Sequence, residues 1–233
     1  MFGHTSAEWG LWFILFAGGY LIGSVHFCRA IPLVFRHIDI TKESADGNPG
    51  AANVFTLCGW QLGLCCLFCD MAKGFLPVFA AVKWMPPSGG RGLFALVMMG
   101  PVLGHAFSVL HGFRGGKCIA VIFGEMIALL WITPVGLILA ALYIFFSVAV
   151  KIDPHSRRSM VTFGLFIPAA LALEFALAQP AVGIGCAGVS CVSLVKHAHN
   201  PNPEPNGNER ETGAEADPDG ETQTQTPSPR KRG

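Results

Sequence analysis

The segment Arg114-Gly115-Gly116-Lys117 sets two fixed cations around a pair of glycines, at the joint between two apolar runs. Such a segment binds phosphate. Arg114 offers a bidentate fork and Lys117 a compact point charge. The glycines let the backbone approach a ligand, and a helix starting just after them aims its N-terminal N–H groups at the same spot. A basic loop with a convenient hinge is the plain alternative. His105 precedes Arg114 by nine residues on the preceding helix and is a candidate general base. In residues 39–55, Gly47-Asn48-Pro49-Gly50 can present successive N–H groups, and Asn48 and Asn53 add amide donors, the composition of an anion-binding nest. Asp70 and Lys73 stand three apart and share a helix face. Each costs roughly 2.5–3.5 kcal/mol at a bilayer centre, so they either pair toward the protein interior or lie near the interface. Lys196 and His197 end the last apolar run, with Asn200 three residues beyond His197, while Arg157 and Arg158 adjoin Ser159 and Thr162.

These groups need a frame, and composition dictates its kind. Of 233 residues, 52% are hydrophobic and 13% are charged, about half the charge of a typical soluble domain. Apolar runs occupy residues 9–29, 57–82, 92–111, 118–132, 134–150, 160–178 and 180–195, and about 20 apolar residues cross a bilayer core. The sequence predicts an all-α integral membrane protein with about seven transmembrane helices, or six if Thr133-Pro134 merely kinks one of them. The first run has neither a basic flank nor a cleavage site, so it is read as a retained helix. With seven helices, Arg29, Arg36, Lys42, Arg114, Lys117, Lys151, Arg157, Arg158 and Lys196 share one side, and only Lys83 and Arg91 face the other. Basic loops stay cytoplasmic. The N-terminus is therefore expected outside, with the C-terminus and the polar clusters at the cytoplasmic face of the cell membrane. Residues 1–200 form the membrane domain on this reading. Residues 201–233, rich in Pro, Gly, acids and amides, form a disordered cytoplasmic tail. The eight cysteines, Cys65, Cys66 and Cys69 included, lack zinc-site spacing and read as small packing residues.

Three blocks resemble, in order and approximate spacing, the motifs of the bacterial acyl-phosphate:glycerol-3-phosphate acyltransferases. Gly23-Ser24 with DITKESADGNPGAANV (39–54) is similar to the first, DMAKG (70–74) to the second and GHAFSVLHGFRGGKCIAV (104–121) to the third. KHAHN (196–200) is similar to the family's basic-His-x-x-Asn ending. The resemblance implies transfer of a fatty acyl group from acyl phosphate to the 1-hydroxyl of sn-glycerol 3-phosphate, giving lysophosphatidic acid for phospholipid synthesis. It implies membrane lipids as surroundings, no nucleic acid, and neither cofactor nor metal, because an acyl phosphate is already activated. Carried onto this chain, it implies catalytic roles for Lys117, Asn48, His105 and Ser44. Substrate contacts fall to Ser24, Lys42, Gly47, Gly50, Asn53, Asp70, Lys73, Arg114, Gly115, Gly116, Ser159, His197 and Asn200.

The chain departs from those motifs at several positions. One extra residue separates Lys42 from Gly47, Thr41 stands for Arg, and Asp46 stands where a Ser precedes Gly-Asn. Ala52 replaces Thr, Ser108 replaces Pro, Arg114 replaces Lys and Cys118 replaces Gly. The expectation is that Lys42 and Arg114 hold Asp46 aside while Ser44 supplies the missing hydroxyl. In the opposite arrangement Asp46 faces the site and repels phosphate. A relative with another acceptor, or one that acts as a membrane partner, stays open as an alternative. An anion transporter should carry inverted repeats and polar residues on both membrane sides, and the sequence has neither.

Overall fold

The computed structural model describes residues 6–84 and 93–199, and all regular structure among them is helical. The chain runs through α1 (Ser6–Gly23), α2 (Phe27–Arg36), α3 (Ile40–Glu43), α4 (Ala51–Cys58), α5 (Trp60–Trp84) and α6 (Leu93–Ala106). A 3-10 turn, Val109–His111, leads to α7 (Ile119–Leu129), α8 (Val135–Ile144) with a π-helical turn at Phe145–Ala149, α9 (His155–Ala176) and α10 (Pro180–His199). Arg91, Asn200 and the 201–233 tail lie outside the described residues.

Among the described residues, four stretches are long and apolar enough to cross a membrane: Trp9–Arg36, Trp60–Trp84, His155–Ala176 and Pro180–His199. Leu93–Ala106, Ile119–Leu129 and Val135–Ala149 are shorter apolar helices. Each apolar run of the sequence thus has its helix. Thr133-Pro134 lies in a turn between separate helices, where the Thr133 hydroxyl accepts the Val135 N–H at 3.3 Å and donates to Glu174. Residues 39–55, which carry the nest-like composition, hold α3 and the start of α4. Asp39 starts α3 by accepting from the Thr41 N–H (3.2 Å) and hydroxyl (2.7 Å), and the Arg29 fork grips the same carboxylate at 3.2 and 3.0 Å.

Helices in lipid gain little from hydrophobic burial against one another and associate through close packing of small residues. A Cβ on Gly23 would lie 2.2 Å from the Pro101 carbonyl oxygen, and one on Gly104 would lie 2.1 Å from that of Tyr20, so α1 and α6 touch backbone to backbone. Gly74 and Gly124 do the same for α5 and α7, with Val121 and Met71 as the opposing carbonyls at 2.1 and 1.9 Å. The glycine of DMAKG is therefore a packing residue. The interior is filled by Val78, Phe94, Met98, Ile122, Leu129, Phe163 and Phe166, while Phe13, Phe35, Ile144 and Val148 point outward. Cys28, Cys58, Cys66, Cys118 and Cys186 are buried, and all eight cysteines are free thiols.

The end of α1, the ends of α6 and α10, and the starts of α7 and α9 converge at one end of the bundle. Three hydroxyl bonds tie them: Ser108 to the Ser24 carbonyl (2.7 Å), Ser193 to the Lys117 carbonyl (2.9 Å) and Ser156 to the His197 carbonyl (3.4 Å).

Candidate active site

Lys117 immediately precedes the N-cap of α7, and its ammonium meets the Asp46 carboxylate at 2.9 Å. Asp46 sits in the turn between α3 and α4, where Gly47 has a φ of 60° that a side chain would strain. The same carboxylate accepts the Asn53 amide at 2.8 Å and the Asn48 N–H at 3.1 Å. Asn53 also donates to the Asn48 carbonyl at 2.8 Å, which folds the turn onto the first helical turn of α4. Burial pushes the Asp46 carboxyl up, but Lys117, Asn53 and Asn48 outweigh it and hold it below the usual carboxylate range. The expected arrangement is thereby corrected. Asp46 pairs with Lys117 rather than with Lys42 or Arg114, both of which are exposed. The physical reason is the donor count, since three donors already converge where the carboxylate lies. Ser44 ends α3, and its buried hydroxyl finds no hydrogen-bond partner among the described residues. Gly50 is the N-cap of α4, and a Cβ there would meet the Asn48 amide nitrogen at 2.6 Å.

A second polar group lies deeper. Lys73 pairs with Asp70 at 2.8 Å, and the two side chains are 1% and 2% exposed. The Lys73 ammonium also donates to the Val25 carbonyl at 2.7 Å and to His105 Nδ1 at 2.9 Å. Asp70 accepts from the Cys28 thiol at 3.0 Å. The pair therefore faces the protein interior, tying α5 to α2, α6 and the turn between α1 and α2.

Gly115 and Gly116 approach His105 rather than an open ligand space. A Cβ on Gly115 would lie 1.9 Å from the His105 carbonyl oxygen, and one on Gly116 would lie 2.4 Å from His105 Nε2. The Gly116 N–H donates to the His105 carbonyl at 3.1 Å. This corrects the expectation that both glycine amides face phosphate, because the Gly116 amide is consumed inside the fold. The turn is closed by a pairing of Ser108 with Arg114.

His197 is buried in the last turn of α10, with Nδ1 2.8 Å from the Ser193 carbonyl. A carbonyl only accepts, so Nδ1 carries the proton. Ser193 links His197 to Lys117, its hydroxyl donating to the Lys117 carbonyl at 2.9 Å and lying 3.4 Å from His197 Nδ1. Ser159, near the start of α9, is buried and donates to the His155 carbonyl at 3.0 Å, while Ser24 donates to the Tyr20 carbonyl at 2.9 Å. Both hydroxyl protons are donated within their own segments.

The comparisons with known proteins decide the family. The family model described as glycerol-3-phosphate acyltransferase matches residues 13–204. The chain belongs to that family. A glycerol-3-phosphate acyltransferase of Brucella anthropi is 30% identical over 183 residues, covering 78% of this chain and 84% of the relative. Glycerol-3-phosphate acyltransferase 2 of Thermotoga maritima is 37% identical over 127 residues, 54% of this chain, and the match spans 62% of that relative's length. Among solved structures, PlsY (YgiH), an integral membrane glycerol 3-phosphate acyltransferase in its glycerol 3-phosphate form, is 25% identical with a TM-score of 0.69. That likeness covers 88% of this chain and 94% of PlsY. The fold is that of a multi-pass membrane protein.

Within this glycerol-3-phosphate acyltransferase family fold, the departures have local structural accounts. Ser108, in place of Pro, supplies the hydroxyl that holds the Ser24 carbonyl. Thr41, in place of Arg, donates its hydroxyl to the capping Asp39 while Arg29 brings the cation. Cys118, in place of Gly, adopts a left-handed backbone with φ 68° and ψ 0°. Nothing in the structure explains Ala52. Sequence reading passed over Ser193, which links Lys117 to the His197 helix, and its only signal was the four-residue spacing to His197. It also passed over His26, stacked on His111 at 4.3 Å and bonded to the His105 carbonyl at 3.2 Å.

Proposed function

We propose that the protein transfers a fatty acyl group from acyl phosphate to the 1-hydroxyl of sn-glycerol 3-phosphate, releasing phosphate and lysophosphatidic acid. The observation that carries this reading is the convergence of Lys117, Asn48 and Asn53 on one anion, with His197 linked to Lys117 through Ser193. Family membership supplies the reaction class. The hydroxyl oxygen attacks the acyl carbon, the bond from that carbon to the phosphate oxygen breaks, and the hydroxyl proton leaves with the phosphate. The chain's work is positioning and charge stabilisation. Lys117, Asn48 and Asn53 take the acyl phosphate. Arg114 and Lys42, exposed at the same end, draw anionic substrates in, and His197 with Asn200 contacts glycerol phosphate. Ser44 offers its unpartnered hydroxyl. The pair of Asp70 and Lys73 holds His105 under the Arg114–Lys117 turn.

The reading places this end of the bundle at the cytoplasmic face of the cell membrane, with seven spans, the N-terminus outside and the 201–233 tail in the cytoplasm. The asymmetry of Lys and Arg along the sequence supports it. Full-length protein purified in detergent, given acyl phosphate and glycerol 3-phosphate, should release phosphate and lysophosphatidic acid in equal amounts. Phosphate release without acylated glycerol phosphate overturns the acceptor. In a cysteine-free background, Lys42→Cys should label only from the cytoplasmic side, and labelling from outside overturns the topology.

A further inference from the structure

Asp46 occupies the donor set that the proposed function assigns to substrate. The Lys117 ammonium (2.9 Å) lies on one of its oxygens, and the Asn53 amide (2.8 Å) and Asn48 N–H (3.1 Å) lie on the other. Both charged side chains are nearly closed from solvent, at 8% and 9% exposure. Three donors from two separate segments gripping one carboxylate make an anion seat with an anion already in it. We propose that Asp46 is an internal competitor for the phosphate seat, filling it until a substrate phosphate displaces the carboxylate. This rests on the reading that the seat takes phosphate.

The chemistry favours exchange over permanent closure. A phosphate dianion carries more charge and more acceptor oxygens than a carboxylate, so it can displace Asp46 where a monoanion cannot. Asp46 lies in the turn ending at Gly47, whose left-handed φ of 60° suits a tight reversal at the protein surface. The competitor lowers apparent affinity by the fraction of molecules whose seat stands open. It thereby sets which anions enter, making Asp46 a specificity-determining residue at a position where the family resemblance has a hydroxyl.

The test measures binding apart from chemistry. Calorimetric titration of the full-length protein in detergent with inorganic phosphate, without acyl donor, should give affinity about tenfold tighter for Asp46→Asn and Asp46→Ser than for wild type. In the acylation assay the same variants should show a lower KM for acyl phosphate with a smaller change in kcat. Unchanged or weaker phosphate binding in folded variants overturns the proposal, as does absence of binding in every form. Should both variants fail to fold, infrared difference spectra of wild type labelled with carbon-13 aspartate decide. A carboxylate band that shifts on adding phosphate supports displacement, and no shift overturns it. Tighter phosphate binding with no acyl transfer by any form leaves the competitor standing and removes the acyltransferase reading. Acyl transfer by wild type with unchanged phosphate affinity does the reverse.

Discussion

Lys73 Nζ lies 2.9 Å from His105 Nδ1, and that bond fixes what the histidine can do. An ammonium only donates, so Nδ1 accepts and the ring proton sits on Nε2. Nε2 in turn lies under Gly116, where even a Cβ would come within 2.4 Å. A general base needs an accessible lone pair aimed at the proton it removes. His105 has its lone pair on Lys73, which predicts a positioning role beneath the Arg114–Lys117 turn.

A direct consequence concerns substitution of that ring. His105→Asn keeps an acceptor for Lys73 and should retain kcat within about tenfold, with an unchanged pH profile. Removal of a true general base costs on the order of 100- to 10,000-fold. His105→Leu strands the Lys73 donor and should destabilise by about 1–3 kcal/mol. Steady-state kinetics across pH and thermal unfolding in detergent check both, and a kcat loss beyond 100-fold in folded His105→Asn sinks the positioning role.

The two glycines of the turn should differ in their tolerance. Gly115→Ala drives a Cβ into the His105 carbonyl, which is backbone, whereas Gly116→Ala meets a ring that can shift. Overpacking costs about 1–3 kcal/mol and more when the backbone must move, so Gly115→Ala should be the more destabilising. Gly164, with open space around it, is the control. Equal melting temperatures for all three variants contradict the packed turn.

Lys117→Ala removes an ammonium bound to Asp46 and, on the proposed function, a charge that faces phosphate. Catalytic efficiency should fall on the order of 100-fold, as when a preorganised donor is lost. Full activity in membrane-inserted Lys117→Ala refutes the assignment.

The pair also predicts a pH dependence. The Asp46 carboxyl is held below its unfolded value of about 3.9. A lowered pKa contributes stability that is complete above the unfolded value and is lost as pH falls through the folded one. Wild type should therefore exceed Asp46→Asn in melting temperature at pH 7, and the gap should narrow below about pH 4. A gap that persists undiminished at pH 3 shows that the charge is not what is bound.

Cys118 offers a test of backbone strain. Left-handed φ costs a residue with a Cβ roughly 1–2 kcal/mol, and Cys118 bears that cost at φ 68°. Cys118→Ala loses the thiol contacts and keeps the strain, while Cys118→Gly sheds it. Gly should be the more stable of the two by about 1 kcal/mol, inverting the usual order. Denaturation of both in matched detergent settles the order.

Hydropathy, charge clustering and motif order lie along the chain itself, so the sequence alone yields the helical membrane frame, the family and the basic clusters at helix ends. Even the apolar runs at 118–132 and 134–150 locate α7 and α8, although only the structure separates them by a turn at Thr133-Pro134. Amphipathic α2 and the short α3 and α4 stayed hidden, because helices of ten, four and eight residues leave little periodic signal between polar turns. The partners were illegible for another reason. Asp46 and Lys117 are 71 residues apart, Cys28 and Asp70 are 42, and Lys73 and His105 are 32. Which ends meet depends on helix contacts set by Gly23 against α6 and Gly74 against α7. Only those contacts gave Asp46 the ammonium of Lys117, turned His105 into a prop, and made the glycine pair a fit to the His105 ring and backbone. A charge seeks its partner through space, and the chain encodes that space only through the packing of whole helices.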